Sequence, residues 1–194
     1  MKTLLGLLML GATSCATTAA TPPATKLPTA GDFYPLGIGT TWQYEVVLLS
    51  QKSAFTVKML REVDGYVEDS TGARFKVDAF GVRDEKRYLL RNPIEAGTKW
   101  NNVVAAGSTE HYEIIGSQQP CEAPAGRWEG CVIVESRNRE KEGVFLLLEW
   151  TFAPGVGLVH LATTIENQGQ RIPQSTMVLT SFAPSQPPAT TSPR

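Results

Sequence analysis

Apolar and polar residues alternate along much of the chain between residues 32 and 183. In the segment 54–63, for example, Phe55 and Val57 fall on one side of an extended chain and Thr56 falls on the other. A period of two is typical of a half-buried β-strand. Val, Ile, Thr and aromatic residues, which suit a pleated surface, are frequent in these runs. The pattern therefore predicts that this part of the chain is built from β-strands.

The same pattern predicts about ten strands, which are separated by turn signals such as Asp64-Gly65. The predicted strands cover 42–49, 54–63, 66–69, 74–80, 86–91, 111–115, 127–135, 143–151, 157–166 and 176–182. No long amphipathic helix is predicted, and parallel strands need crossover connections, so antiparallel pairing is expected. A flat sheet of this size would leave much apolar surface exposed. We therefore expect an all-β fold, an antiparallel meander that forms a curved, partly open barrel or a sandwich.

The first 14 residues have the order of a secretory signal peptide. Lys2 supplies a positive charge, residues 4–12 form an apolar run, and small residues follow. The apolar run is far shorter than the roughly 20 residues that a membrane-spanning helix needs. The segment 1–14 is therefore predicted to be a signal peptide that is removed from the mature protein.

Residues 12–15, A-T-S-C, resemble the lipobox of bacterial lipoproteins. The lipoprotein signal peptidase cuts before the cysteine after a diacylglycerol has been attached to its sulfur, and two acyl chains anchor a protein stably. The resemblance implies lipidation of Cys15, labelling with palmitate and an envelope location. Ala16 stands where Asp commonly retains lipoproteins in the inner membrane, which favours the outer membrane. The alternative is an ordinary signal cut near Ala19 or Ala20, which would discard Cys15.

Two segments of unusual composition flank the predicted β domain, which covers 32–183. Residues 16–31 consist mostly of Ala, Thr and Pro and show no apolar period. Together with Cys15 they are predicted to form a lipidated, extended tether over 15–31, which could hold the domain up to about 50 Å from a membrane. Residues 184–194 repeat this composition and are predicted to be a disordered tail.

Charge and motifs exclude several classes of function. The formal net charge is −1, which gives no reason to expect the basic face that nucleic-acid binding needs. The two histidines, His111 and His160, lie in strand-like runs, and neither a G-x-S-x-G nor an H-E-x-x-H motif is present. We therefore expect a noncatalytic protein with no cofactor, no metal site and no nucleic-acid partner.

Two cysteines remain if Cys15 carries lipid. Cys121 and Cys131 would form an even pair in an oxidising compartment. They flank a turn signal at 124–126, one step out of register, so a one-residue bulge or a longer loop would bring them face to face. We expect a disulfide, and two buried free thiols are the alternative. No nearby His completes a zinc site.

The tryptophans leave two interpretations open, because they could line an apolar cavity or fill the core. They are Trp42, Trp100, Trp128 and Trp150. The first two each end a copy of the pattern P-[LI]-x-x-G-T-x-W, at 35–42 and 93–100. The pattern predicts a turn whose Gly has a positive φ, followed by a strand that opens with a buried Trp.

Three stretches together resemble a group of uncharacterised bacterial envelope lipoproteins. Residues 33–44, F-Y-P-L-G-I-G-T-T-W-Q-Y, are similar to the group's Y-[FY]-P-L-x-x-G-x-x-W-x-Y. Residues 124–134, P-A-G-R-W-E-G-C-V-I-V, resemble its P-A-G-x-[FW]-x-x-C-x-x-V, and residues 152–159, F-A-P-G-V-G-L-V, resemble its [YF]-A-P-G-V-G-L-V. The resemblance implies an envelope location and carries no assigned activity.

These observations lead us to expect a membrane-anchored, noncatalytic envelope lipoprotein that binds a partner protein or an apolar ligand. Curved sheets commonly hold such ligands at the mouth of a barrel. A structural or assembly component of an envelope complex is the alternative, and a hydrolase of envelope material is a third hypothesis. A cavity lined by Trp and Val would favour a ligand, whereas a filled core with an exposed apolar patch would favour a partner.

Overall fold

A computed structural model describes residues 27–185 as one antiparallel β-sheet preceded by a 3₁₀ turn. The predicted signal peptide, Cys15, and most of the predicted tether and tail lie outside these residues. The elements are η1 (Ala30–Phe33), β1 (Thr41–Leu48), β2 (Gln51–Val63), β3 (Tyr66–Asp69), β4 (Arg74–Asp78), β5 (Gly81–Arg83), β6 (Tyr88–Arg91), β7 (Lys99–Ala105), β8 (Ser108–Ala123), β9 (Gly126–Lys141), β10 (Val144–Ala153), β11 (Gly157–Asn167) and β12 (Gln170–Ala183). No helix within 27–185 is both long and apolar enough to cross a membrane.

The 12 strands form a nearly closed barrel in which neighbours in sequence are neighbours in space. The order across the sheet is β6-β5-β4-β3-β2-β1-β12-β11-β10-β9-β8-β7, and every ladder is antiparallel. The first and last strands pair with each other, so the chain runs once around the ring. The prediction of an all-β antiparallel meander is confirmed, and of its two forms the structure shows the barrel.

Side chains close the barrel where β6 and β7 meet without a backbone ladder. The Tyr88 N–H donates to Asn102 Oδ1 at 3.0 Å, and Asn102 Nδ2 donates to the Tyr88 carbonyl oxygen at 3.1 Å. The Trp100 indole N–H donates to the same oxygen at 2.9 Å. Asn102 therefore offers the edge of β6 the amide pair that a neighbouring strand would otherwise provide.

The structure has more strands than the sequence pattern predicts. The predicted strand 74–80 ends earlier, because the Asp78 carboxylate accepts the N–H groups of Phe80 (2.8 Å) and Gly81 (3.1 Å) and the chain turns there into β5. β7 is absent from the ten strands that alternation predicts, since Asn101 and Asn102 interrupt its apolar pattern, although the repeated motif that ends at Trp100 predicts a strand there. Strands β8 and β9 are each 16 residues long, well beyond their predicted bounds.

The two copies of P-[LI]-x-x-G-T-x-W form matching corners at the starts of β1 and β7. Gly39 and Gly97 have φ of 95° and 91°. Each donates its N–H across to the neighbouring strand, at 2.9 Å to the Met59 carbonyl and 2.8 Å to the Ile114 carbonyl. The tryptophan that follows is buried in both copies, with 3% and 4% exposure. The turn and the buried Trp that the pattern predicts are both confirmed.

The barrel has two ends of different character, which we call the base and the mouth. At the base lie the start of β1, the end of β12 and the turns that join β4 to β5, β6 to β7, β8 to β9 and β10 to β11. At the mouth lie the hairpins β1–β2, β7–β8, β9–β10 and β11–β12. Side chains fill the base, where the fully buried large residues include Phe33, Met59, Val82, Leu90, Ile114, Val132, Val134, Phe152, Val159 and Leu179.

Candidate functional site: the apolar inner face at the mouth

The strand register assigns side chains near the mouth to the inside or the outside of the barrel. Directly paired residues of an antiparallel ladder share one face of the sheet, and successive residues alternate between faces. Trp150 packs against the buried core, so its face is the inner one. Leu161 pairs with Trp150 on one side and with Met177 on the other, which places Leu161 on the same inner face.

Continuing this register toward the mouth identifies a band of apolar side chains on the inner wall, which we call the mouth face. Its members come from β1, β2, β10, β11 and β12. They are Val46, Leu48, Phe55, Leu146, Leu148, Leu161, Ile165 and Ile172.

The mouth face differs from the base in that none of its side chains is fully buried. Leu48, Phe55 and Ile172 are 52%, 40% and 42% exposed, and the other members are half-buried. None belongs to the two buried core clusters, although the Phe55 ring lies 5.5 Å from that of the core residue Tyr44. The inner wall is therefore fully buried at the base and partly exposed at the mouth. An inward-facing apolar wall that is partly exposed is a usual feature of a binding site for an apolar molecule.

The outer face of the same strands is mostly polar, as expected for a wall in water. Its members near the mouth include Glu45, Lys52, Glu135, Arg137, Glu149, His160, Thr164, Glu166 and Thr176. One leucine, Leu147, is an exception and is buried at 4% exposure opposite Arg137. The contrast between the two faces shows that the open apolar surface is directed into the barrel.

Three aromatic rings stack in a row across strands β7, β8 and β10. Trp100 stacks on Tyr112 with a centroid separation of 5.3 Å and an interplanar angle of 14°. Tyr112 stacks in turn on Trp150, at 5.4 Å and 19°. Trp100 and Tyr112 are buried, whereas Trp150 is half-buried. Offset stacks of this kind are rigid and apolar, and they form a firm floor on the β7–β10 side of the mouth.

Polar groups cluster on the part of the wall that β6, β8 and β9 form. The Tyr112 hydroxyl donates to Glu110 Oε2 at 2.7 Å, and Arg87 donates to Glu110 Oε1 at 3.1 Å. Burial raises the pKa of Tyr112 well above its ordinary value, and the hydrogen bond to Glu110 raises it further. The phenol therefore keeps its proton. Ser136 Oγ and Asn138 Oδ1 are buried and have no hydrogen-bond partner within 27–185. The wall is therefore amphipathic.

A concavity lies at the base, where the chain enters the barrel. It has a volume of about 560 Å³ and is lined by residues 27–29, residues 92–95, Ser117 and Gln118. It opens outward from the base and is separate from the mouth face.

The predicted disulfide pair lies near the base. Gln119 pairs with Cys131 and Cys121 pairs with Trp128, because β8 contains bulges on this stretch. The Cα atoms of Cys121 and Cys131 are 6.0 Å apart and their sulfurs are bonded. Cys131 is fully buried in the core cluster of Trp42 and Leu179. This geometry gives the pair a structural place in the fold, away from the mouth.

The structure brings no catalytic or metal-binding group together from the residues that the sequence singled out. His111 Nδ1 lies 2.8 Å from Asn101 Oδ1, and His160 lies on the outer face opposite Thr151. Within the described part of the chain, no three His, Cys, Asp or Glu side chains are placed to hold a metal ion. Trp42 and Trp100 are core residues, so the cavity interpretation of the tryptophans fails for these two.

Comparisons with known proteins give two similar folds. No protein-family model matches the chain, and no curated protein matches it. A Bacteroides fragilis protein, described as exported and of YmcC-like fold, aligns with a TM-score of 0.44 and 12% identity over 78% of this chain and 99% of that one. A Parabacteroides distasonis protein described as a lipoprotein aligns with a TM-score of 0.41 and 12% identity over 78% of this chain and 98% of that one.

Proposed function

We propose that the chain is a membrane-anchored, noncatalytic envelope lipoprotein that holds an apolar ligand on the mouth face. The observation that carries this proposal is the change along the inner wall from fully buried at the base to partly exposed and apolar at the mouth. Apolar surface left in water costs about 25 cal/mol per Å². An inward-facing wall of leucine, isoleucine, valine and phenylalanine therefore favours a ligand that covers it.

The shape and chemistry of the wall favour an elongated ligand. The mouth face crosses several neighbouring strands, which are spaced about 4.8 Å apart. Its apolar side chains on β1, β2, β10, β11 and β12 alternate with a few small polar ones that the register places on the same face, namely Ser53, Thr163 and Ser175. A denser polar cluster lies on the β8–β9 side, near Glu110 and Asn138. An acyl chain or a comparable apolar molecule fits this distribution.

Binding is testable with a fluorescent fatty-acid analogue. Trp150 borders the mouth face, so its emission should fall as a bound probe accepts energy from it. We expect saturable binding of one probe per chain, and displacement by unlabelled acyl chains. Absence of saturable binding by the folded, full-length protein would remove this proposal.

The lipid anchor has its own test, because it depends on Cys15 alone. We expect radioactive palmitate to label the wild-type protein in growing cells and to leave Cys15→Ser unlabelled. The unlabelled variant should also leave the membrane fraction when cells are broken, since two acyl chains provide the stable attachment. Equal label in both proteins would show that Cys15 carries no lipid.

A protein partner is a second candidate, and the hairpin tips favour it. Leu49 and Val103, at the tips of β1–β2 and β7–β8, are each 73% exposed on the rim of the mouth. Exposed apolar side chains on a rim are a usual feature of protein contacts. In this candidate the chain acts as an assembly component. Replacing both side chains by serine should then abolish partner capture from the native membrane while probe binding persists.

A further inference from the structure

Large apolar side chains protrude from the base of the barrel as well as from its mouth. Leu27 is 75% exposed, Ile38 is 56% exposed and Phe80 is 60% exposed. Each lies in a turn or a connecting segment at this end: Leu27 before η1, Ile38 before β1, and Phe80 between β4 and β5. They do not belong to the mouth face, which is at the other end of the strands.

A hydrogen-bond network joins the segment that follows Leu27 to the turn that carries Phe80. The Ala30 N–H donates to Asn92 Oδ1 at 2.8 Å, and the Asn92 N–H donates to the Phe80 carbonyl oxygen at 2.8 Å. Arg91 pairs with Gly81, the residue after Phe80. The Arg91 guanidinium lies over the Tyr88 ring, 5.5 Å from the ring centroid. The network therefore places the segment of Leu27 beside the turn that exposes Phe80.

The length of chain before Leu27 favours the base as the end of the barrel that lies near a membrane. Twelve residues lead from Cys15 to Leu27, and they span at most about 40–43 Å when fully stretched. The longest strands have 16 residues, which at about 3.3 Å per residue and a tilt of about 40° give a barrel about 40 Å tall. The mouth could touch the membrane only with that segment fully stretched along the barrel, whereas the base can lie directly on the surface.

We propose that the base of the barrel contacts the lipid bilayer through Leu27, Ile38 and Phe80, so that the mouth faces away from the anchoring membrane. This inference rests on the proposed lipid anchor at Cys15 and adds an orientation to it. An interfacial contact of this kind places apolar side chains about 5–10 Å into the headgroup region. The mouth face is then open to ligands that arrive from the aqueous side.

Spin labels on the full-length, lipidated protein test this orientation. Single cysteines replace Ile38 or Phe80 at the base, and Leu49 or Val103 at the mouth, and each labelled protein is reconstituted in phosphatidylcholine vesicles. Collision rates with oxygen, which concentrates in lipid, and with a water-soluble nickel chelate report the depth of each label. We expect the oxygen-to-nickel ratio at Ile38→Cys and Phe80→Cys to be several-fold higher than at Leu49→Cys and Val103→Cys.

Two results would overturn the orientation. Base labels as accessible to nickel as the mouth labels would show that the base does not enter the bilayer. Spin–spin coupling between base labels on different chains, without oxygen enhancement, would show instead that a second copy covers this end. Each variant must retain probe binding and palmitate label, which confirms its fold and anchor. Aqueous base labels on an anchored, probe-binding protein would therefore refute the orientation and leave the proposed function standing.

Discussion

A charge placed on the mouth face provides the sharpest test of ligand binding. Leu161 lies in the middle of the inner wall, paired with Trp150 and Met177 on its two sides. It is half-buried and does not pack against the core clusters. Leu161→Asp should therefore change the wall without emptying the core, and it should weaken binding of the fatty-acid probe.

The expected magnitude follows from the apolar contact that the ligand loses. A hydrated carboxylate at residue 161 would withdraw about three methylenes of the ligand from apolar surroundings. Each contributes about 0.8 kcal/mol when buried, so the loss is about 2.4 kcal/mol, or about a 50-fold increase in the Kd of the probe. The aspartate itself reaches water through the open mouth, which limits its effect on stability.

The matched control places the same charge on the outside of the barrel at the same height. Thr176 is exposed and pairs with Ala162, the residue after Leu161, so its side chain points outward. Thr176→Asp should leave the Kd of the probe within about twofold of the wild type, because surface charges away from a site contribute little. Circular-dichroism melting of both variants separates loss of the site from loss of the fold. Equal probe affinity for Leu161→Asp and the wild type would refute the assignment of the site.

Three further predictions concern the barrel itself. Asn102→Ala should lower the free energy of unfolding in urea by about 1–3 kcal/mol, because it removes the acceptor of the Tyr88 N–H, while the Tyr88 carbonyl keeps the bond from Trp100. A change below about 0.5 kcal/mol would show that Asn102 does not hold the seam. The double variant Cys121→Ser, Cys131→Ser should have a free energy of unfolding about 2.7 kcal/mol below that of the wild type, if the disulfide acts by closing its short loop. Dithiothreitol should lower the free energy of unfolding of the wild type to the same value. A wild type that does not respond to the reductant would mean that the two cysteines are free thiols. Partial burial opposes ionisation of Asp78, but hydrogen bonds from Phe80, Tyr88 and Gly81 lower its pKa below the ordinary value. The contribution of the Asp78 carboxylate to the free energy of unfolding should be complete above about pH 4 and lost as the pH falls through the folded-state pKa. Asp78→Asn should therefore make the free energy of unfolding depend less on pH in that acid range. An unchanged pH dependence would contradict the assignment.

Much of the fold could be predicted because its signals are local. The corners that precede Trp42 and Trp100 depend on a glycine with positive φ and a large apolar residue two positions into a strand. Both signals can be read from the local sequence. Both corners have the conformation that these signals predict. The antiparallel meander followed in the same way from short turns and period-two alternation.

The features that the sequence did not reveal depend on contacts between distant residues. The carboxylate of Asp78 turns the chain, and Asn102 closes the seam against Tyr88, yet neither residue type favours a strand or marks a seam. The openness of the mouth face is also nonlocal. Leu161 lies two positions after the core residue Val159, yet Val159 is fully buried and Leu161 is half-buried.

Native mass spectrometry of the full-length protein, extracted gently from its own membrane, tests the central claim most directly. We expect wild type and Thr176→Asp to carry one small apolar molecule per chain, in addition to the covalent lipid, and Leu161→Asp to have lost it. Detection of the bare lipidated chain in all three proteins, under conditions that preserve noncovalent lipid complexes, would contradict the proposal that the open inner wall binds an apolar ligand.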